Sequence, residues 1–150
     1  MSIVFIGSGN VAVNLATAFK QNGFDDLHIH GRTENSVKLL ADKVQATSSV
    51  DIADIPVNSE LYIISVSDDA IPSLVQDPVL KAKVDNNLIV HTAGSIPMQI
   101  LSSVSENYGV FYPLQTFSRF KPIDFKTVPI CLEACSGFNY DRLAKYAFKI

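Results

Sequence analysis

Six residues near the N-terminus, Gly7-Ser8-Gly9-Asn10-Val11-Ala12, constrain this chain more than any other segment. They follow a short apolar run, residues 2–6 (SIVFI), and open a stretch in which Val11, Leu15, Ala18 and Phe19 recur at helical spacing. A strand that turns on two glycines straight into an amphipathic helix fits few architectures. The first glycine permits a turn too tight for a side chain. The second leaves the backbone bare at a helix N-terminus, where unpaired N–H groups and the helix dipole attract an anion. Ala12 is small enough to let helix and strand pack closely. The pattern is GxGxxA, and its strand–turn–helix setting separates it from a chance pair of glycines. Gly7, Ser8, Gly9, Asn10 and Val11 are therefore the first candidates for contact with a pyrophosphate.

The rest of the chain alternates in the same way. Apolar runs at 27–30 (LHIH), 61–66 (LYIISV) and 88–91 (LIVH) read as buried strands, with weaker ones near 44–46, 109–112 and 129–133. Helices are expected over 10–21, over 34–43 with Thr33 as N-cap, and soon after residue 66. Pro72 should lie in the first turn of that last helix, behind Ser67, Asp68 or Asp69 as its cap. Further helices are expected near 97–104 and over 141–150. Strands alternating with helices imply right-handed crossovers. The expected fold is α/β: a doubly wound, mostly parallel sheet with helices on both faces.

With 150 residues there is room for one domain with a full core. The apolar fraction of 47% is high, as is the mean hydropathy of +0.21. A sheet buried on both faces accounts for it, as does apolar surface meant for a partner or a second domain. No apolar run approaches the roughly 20 residues of a membrane span. The N-terminus lacks a basic leader, so a cytoplasmic location is expected. A net charge of −3 with thinly spread Lys and Arg argues against a nucleic-acid partner. Cys131 and Cys135 lack the spacing of a metal set and are expected to be buried free thiols; no metal site is expected.

The end of the second strand separates two dinucleotides. An acid there accepts hydrogen bonds from the ribose hydroxyls of NAD. Asp25 and Asp26 precede LHIH and so lie at its wrong end. The correct end reads Gly31-Arg32-Thr33, with no carboxylate to repel a 2′-phosphate, a planar guanidinium suited to one, and a hydroxyl beside it. NADP is the expected cofactor, with Arg32 and Thr33 as its contacts. The same position disfavours an S-adenosylmethionine-dependent methyltransferase, which usually carries a ribose-binding acid there.

The segments GSGNVA, HGRT, SVSDDAIP at 65–72, HTAGS at 91–95 and GVFYPLQTF at 109–117 occur in that order. Together they resemble the NADP oxidoreductase family that joins a Rossmann-like domain to a helical domain of unknown function, similar to pyrroline-5-carboxylate reductase. The resemblance implies that residues 1–150 are the NADP-binding domain. It also implies a helical domain after residue 150 that forms a homodimer and closes the active site, so the chain is expected to be part of a longer protein. It implies further that Val66 and Ser67 pass the adenosine and pyrophosphate side, and that Gln115 holds a polar substrate group near the nicotinamide.

Three loops beyond the glycine turn fall at the carboxyl ends of strands, where ligands bind in such sheets. Ser67 is either a cofactor contact or a helix cap. His91 ends a buried strand; it either orients or protonates a substrate or is hydrogen-bonded in place. Gly94 would let the backbone approach a ligand, and Ser95 and Gln115 are the other candidates for substrate contact. His28 and His30 share a face of the second strand and are expected to be structural. Arg119 and Lys121 are expected to be solvated. Hydride transfer demands orientation more than acid–base groups. The expected activity is therefore NADP-dependent oxidoreduction of a small carbonyl or imine, with a non-catalytic NADP(H)-sensing module as the alternative.

Overall fold

The computed structural model describes residues 1–121 and 123–150. Seven strands form one sheet: β1 (Ile3–Ile6), β2 (Leu27–His30), β3 (Thr47–Ser49), β4 (Leu61–Ile64), β5 (Leu88–His91), β6 (Tyr108–Pro113) and β7 (Ile130–Ala134). Their spatial order is β3-β2-β1-β4-β5-β6-β7. All neighbours are parallel except β6 and β7. The helices are α1 (Asn10–Gln21), α2 (Glu34–Val44), α3 (Ile71–Leu74), α4 (Pro78–Val84) and α5 (Gly137–Lys149). The chain runs outward from β1 to β3, then crosses back to start β4 on the other side of β1. That reversal leaves a crevice above the carboxyl ends of β1 and β4.

The β1 to β5 strand residues alternate between two cores, as the two-residue period of a strand requires. Ile3, Phe5, Leu27, Ile29, Leu61 and Ile63 face the core built with α1, α2 and α5. Val4, Ile6, Tyr62, Ile64 and Ile89 face the one built with α3, α4 and Leu101. Phe19 anchors α1 in the first core, its ring 5.7 Å from Phe5, 4.9 Å from Phe24 and 6.1 Å from Tyr146. Burying such a side chain contributes about 1.5–3 kcal/mol, so the helix that carries the glycine turn is firmly seated.

Several boundaries differ from expectation. The third strand lies at 47–49 rather than 44–46. α2 runs on to Val44, Gln45 takes a left-handed conformation (φ 54°), and Ala46 N–H closes back to Ala41 O at 2.9 Å before the chain extends. The segment expected as a helix near 97–104 is a 3₁₀ stretch, Met98–Ser103, closed by Val104 N–H to Leu101 O. α5 begins four residues early because Ser136 Oγ caps it, accepting from Asn139 N–H at 3.2 Å. None of Ser67, Asp68 and Asp69 caps the helix with Pro72; a 3₁₀ turn, Asp68–Ala70, intervenes, and Ala70 holds the cap position of α3. α4 was unforeseen, although Asp77 before Pro78 is a cap followed by the proline of a first turn. The cysteines are free but not buried: Cys131 is exposed and Cys135 half-buried, because β7 is an edge strand. Among the described residues no group of acids, cysteines and histidines could hold a metal, and no helix is long and apolar enough to cross a membrane.

Candidate dinucleotide-binding site

A cavity of about 490 Å³ opens above the carboxyl ends of β1, β2 and β4. Gly7, Ser8 and Gly9 line it from β1, Arg32 and Thr33 from β2, and Val66 and Ser67 from β4. The two glycines serve it differently. Gly7 has φ +126°, and a β-carbon there would meet the Ser65 backbone, its carbonyl carbon at 2.6 Å. Gly7 N–H donates to His30 O at 2.7 Å, and Ser65 N–H donates to Ile6 O at 2.7 Å. The turn is thus clamped onto the ends of both flanking strands. A β-carbon on Gly9 would meet no protein atom within 4 Å. It would project into open space at a cavity wall, the cradle that a pyrophosphate needs.

The electrostatics suit an anion. Gly9 is the N-cap of α1 and offers no side chain to its first turn, and no acid lies in that turn. The first helical hydrogen bond is Val13 N–H to Gly9 O, so the N–H groups of Asn10, Val11 and Ala12 have no intrahelical acceptor. Arg32 is exposed at the rim. The ion pairs among the described residues join Met1 to Glu60 and Lys20 to Asp25, so neither engages it. Thr33 holds the N-cap position of α2 but makes no cap hydrogen bond, which leaves its hydroxyl available. Asp25 sits at the far end of β2, 2.7 Å from Lys20 Nζ. Among the lining residues the one acid, Asp77, lies in the α3–α4 connection and accepts from Val79 N–H at 2.8 Å.

Asn10 and Val11 lie outside this lining. Val11 packs on the core, and Asn10 Oδ1 accepts from Arg119 Nε at 3.2 Å. Arg119 is therefore tethered rather than simply solvated, on a loop that Asn14 also holds through Ser118 O at 3.1 Å.

The residues expected at the substrate end are not brought into the cavity. His91 has no exposed surface; its Nδ1 accepts from Ala93 N–H at 3.2 Å, and Nε2 is a buried donor without a partner. Burial pulls this imidazole below its ordinary pKa, opposed by the Pro97 carbonyl and Asp68. Ser95 donates to Asp68 Oδ2 at 2.7 Å, and Gln115 Oε1 accepts from the adjacent Thr116 N–H at 2.9 Å. The space that Gly94 leaves is taken by the Tyr112 ring, 2.7 Å from where a β-carbon would stand. Gly94 therefore lets its loop pack closely against β6.

Sequence reasoning missed His30, Ser65, Ser73 and Asp77, all of which line the cavity. His30 was within reach: the last residue of a strand that ends at the crevice borders it.

Residues 1–115 match the Rossmann-like domain family. The chain belongs to that family. Among solved structures, this Rossmann-like chain is similar to a candidate NADP oxidoreductase of Bacteroides fragilis, 42% identical over 99% of the chain and 57% of that protein, with a TM-score of 0.92. A pyrroline-5-carboxylate reductase from Coxiella burnetii matches 99% of the chain and 56% of its own length at 16% identity and TM-score 0.77. The Plasmodium falciparum pyrroline carboxylate reductase with NADP bound matches 99% and 55% at 11% identity and TM-score 0.74. The last two share the fold. The chain spans a little over half the length of each of the three. No curated protein matches it.

Proposed function

We propose that this chain is the cofactor-binding part of an NADP-dependent oxidoreductase acting on a small carbonyl or imine. One observation carries the reading: a bare glycine cradle shares its cavity with Arg32 and Thr33, and the residues directly after β2, Gly31-Arg32-Thr33, include no carboxylate. The unpaired N–H groups of α1 hold the pyrophosphate, and Arg32 with Thr33 holds the 2′-phosphate. Val66 and Ser67 border the adenosine and pyrophosphate path on the β4 side. The cofactor supplies the hydride, and the protein binds and orients it. The 42% identity with the Bacteroides fragilis protein supports this reading.

The exits of β5 and β6 continue the same edge of the sheet beyond β4, which makes His91, Ser95 and Gln115 the candidates for the substrate end. His91 acts there only when the Ala93–Pro97 loop moves away from it. A helical domain following residue 150 and dimerising with its copy would complete that end, in keeping with relatives of nearly twice the length. The enclosure of His91 and the internal pairing of Ser95 and Gln115 also favour a second reading, an NADP(H)-sensing module without chemistry.

Competitive titration at fixed ionic strength tests the cofactor assignment. NADPH should bind at least tenfold more tightly than NADH, about 1.4 kcal/mol. Arg32→Ala should remove most of that difference by weakening NADPH alone. Equal losses for both cofactors would sink the assignment.

A further inference from the structure

His30 is the last residue of β2 and lines the same cavity as Arg32 and Thr33. Its side chain belongs to a chain of polar contacts between β2 and β3. Thr47 Oγ1 lies 2.9 Å from His28 Nδ1, Ser49 Oγ lies 2.9 Å from His28 Nε2, and the same oxygen lies 3.2 Å from His30 Nδ1. The register explains the alignment, because His28 pairs with Thr47 and His30 with Ser49.

The far nitrogen of His30 ends this chain. Among the described residues Nε2 has no hydrogen-bond partner, yet the buried side-chain nitrogen without a partner there is Nε2 of His91. Nε2 of His30 is therefore not sealed in, on a residue that lines the cavity.

We infer that His30 is a second anchor for the phosphate that distinguishes NADP(H), donating from Nε2 beside the Arg32 guanidinium while Ser49 fixes the ring. The inference rests on the cofactor reading above and adds to it a specificity residue and a positioning residue. Two proton arrangements satisfy the polar chain. In one, Thr47 gives up its 3.5 Å bond to Leu27 O and donates to His28, His28 donates to Ser49 and Ser49 to His30, which leaves N–H at the far nitrogen of His30. In the other every bond is reversed and a lone pair faces the cavity. An anion selects the first, and protonating His30 gives a donor at both ends.

The charges around His30 sharpen this. On its own strand, burial holds His28 neutral at about pKa 4. Burial also lowers His30, against the Ser49 backbone carbonyl and the Asp51 carboxylate, which raise it. Asp54 acts on His28, Arg32 lies beyond β2, and the neighbouring β1 and β4 ends bring Ile6 and Ser65, which carry no charge. A phosphate dianion added to this setting favours the imidazolium, so binding should take up a proton at His30.

Calorimetry on the chain, in buffers of different ionisation enthalpy between about pH 7 and 8.5, tests this with adenosine 2′,5′-bisphosphate and adenosine 5′-monophosphate. That range lies above the second phosphate pKa of about 6, where selecting the dianion can only release protons. The wild type should bind the bisphosphate with net proton uptake and the monophosphate without it. His30→Gln, shown to be folded by circular dichroism, should lose the uptake and narrow the preference for the bisphosphate by about five- to twentyfold. Ser49→Ala should shift the pH profile while keeping part of the preference. If the wild type does not prefer the bisphosphate, the cofactor reading itself falls. If it does, but takes up no proton, or if His30→Gln keeps the full preference, the role of His30 alone is overturned. Should His30→Gln not fold, proton uptake by the wild type decides.

Discussion

Two glycines at loops on the same edge of the sheet, Gly9 and Gly94, have opposite surroundings. Around Gly9 the place of a side chain is empty and opens on a cavity; around Gly94 it is filled by Tyr112. The contrast extends to the neighbours. Above β1, β2 and β4, the first N–H groups of α1 and the side chains of Arg32 and Thr33 have no partner among the described residues. Above β5 and β6, the polar groups are turned on each other: Ser95 on Asp68, Gln115 on its own backbone, His91 under the loop that follows it. One region leaves an open cavity, and the other is closed on itself. A glycine's meaning thus depends on what stands where its side chain would be, which only the fold reveals.

The largest expected effect tests the first half of that contrast. Gly9→Val should weaken NADPH binding by at least about a hundredfold, about 2.7 kcal/mol, while the melting temperature stays near that of the wild type. Unchanged affinity in the folded variant would place the ligand elsewhere.

A smaller effect concerns the buried imidazoles of His28, His30 and His91, of which His30 lines the cavity. In the folded protein all three have lowered pKa values, that of His28 to about 4. The unfolded chain therefore binds more protons, so the stability is complete above about pH 6.5 and falls as the pH drops toward 4. His28 should account for on the order of 2 kcal/mol of that loss. In denaturant titrations at successive pH values, His28→Gln should flatten the slope; an unaltered slope would assign the acid sensitivity to His30 and His91, which lie on the same face of the sheet.

The smallest effect is the converse of the first. Gly94→Ala should cost about 1 kcal/mol of stability, because the Tyr112 ring must shift, and leave NADPH affinity as it was. A variant that lost affinity instead would mean that the Gly94 loop reaches the cofactor after all.

The sequence was most informative where function is written in backbone. Gly7, Gly9 and the missing acid after LHIH act through what they lack, and absence is visible in a string of letters. β1, β2, β4 and β5 were equally plain because their apolar runs are buried on both sides. Legibility failed where a residue's role depends on a distant partner. Nothing near Gly94 announces Tyr112, nothing near Ser95 announces Asp68, and Asn10 meets Arg119 across more than a hundred positions. It failed also where local bonding overrode the apolar pattern, as at Gln45, whose left-handed turn moved β3.

The double clamp on Gly7, bonded to the end of β2 and packed against the end of β4, bears on how variation in this chain would show itself. The floor of the cavity is ordered when the protein folds, and a ligand arriving later finds it already in place. Changes to the floor should then appear as thermal instability, and changes to the rim at Arg32 or Thr33 as altered affinity in a protein that melts normally. A library of variants sorted by both properties would separate into two populations, and the boundary between them would trace the edge of the cavity without a bound ligand ever being seen.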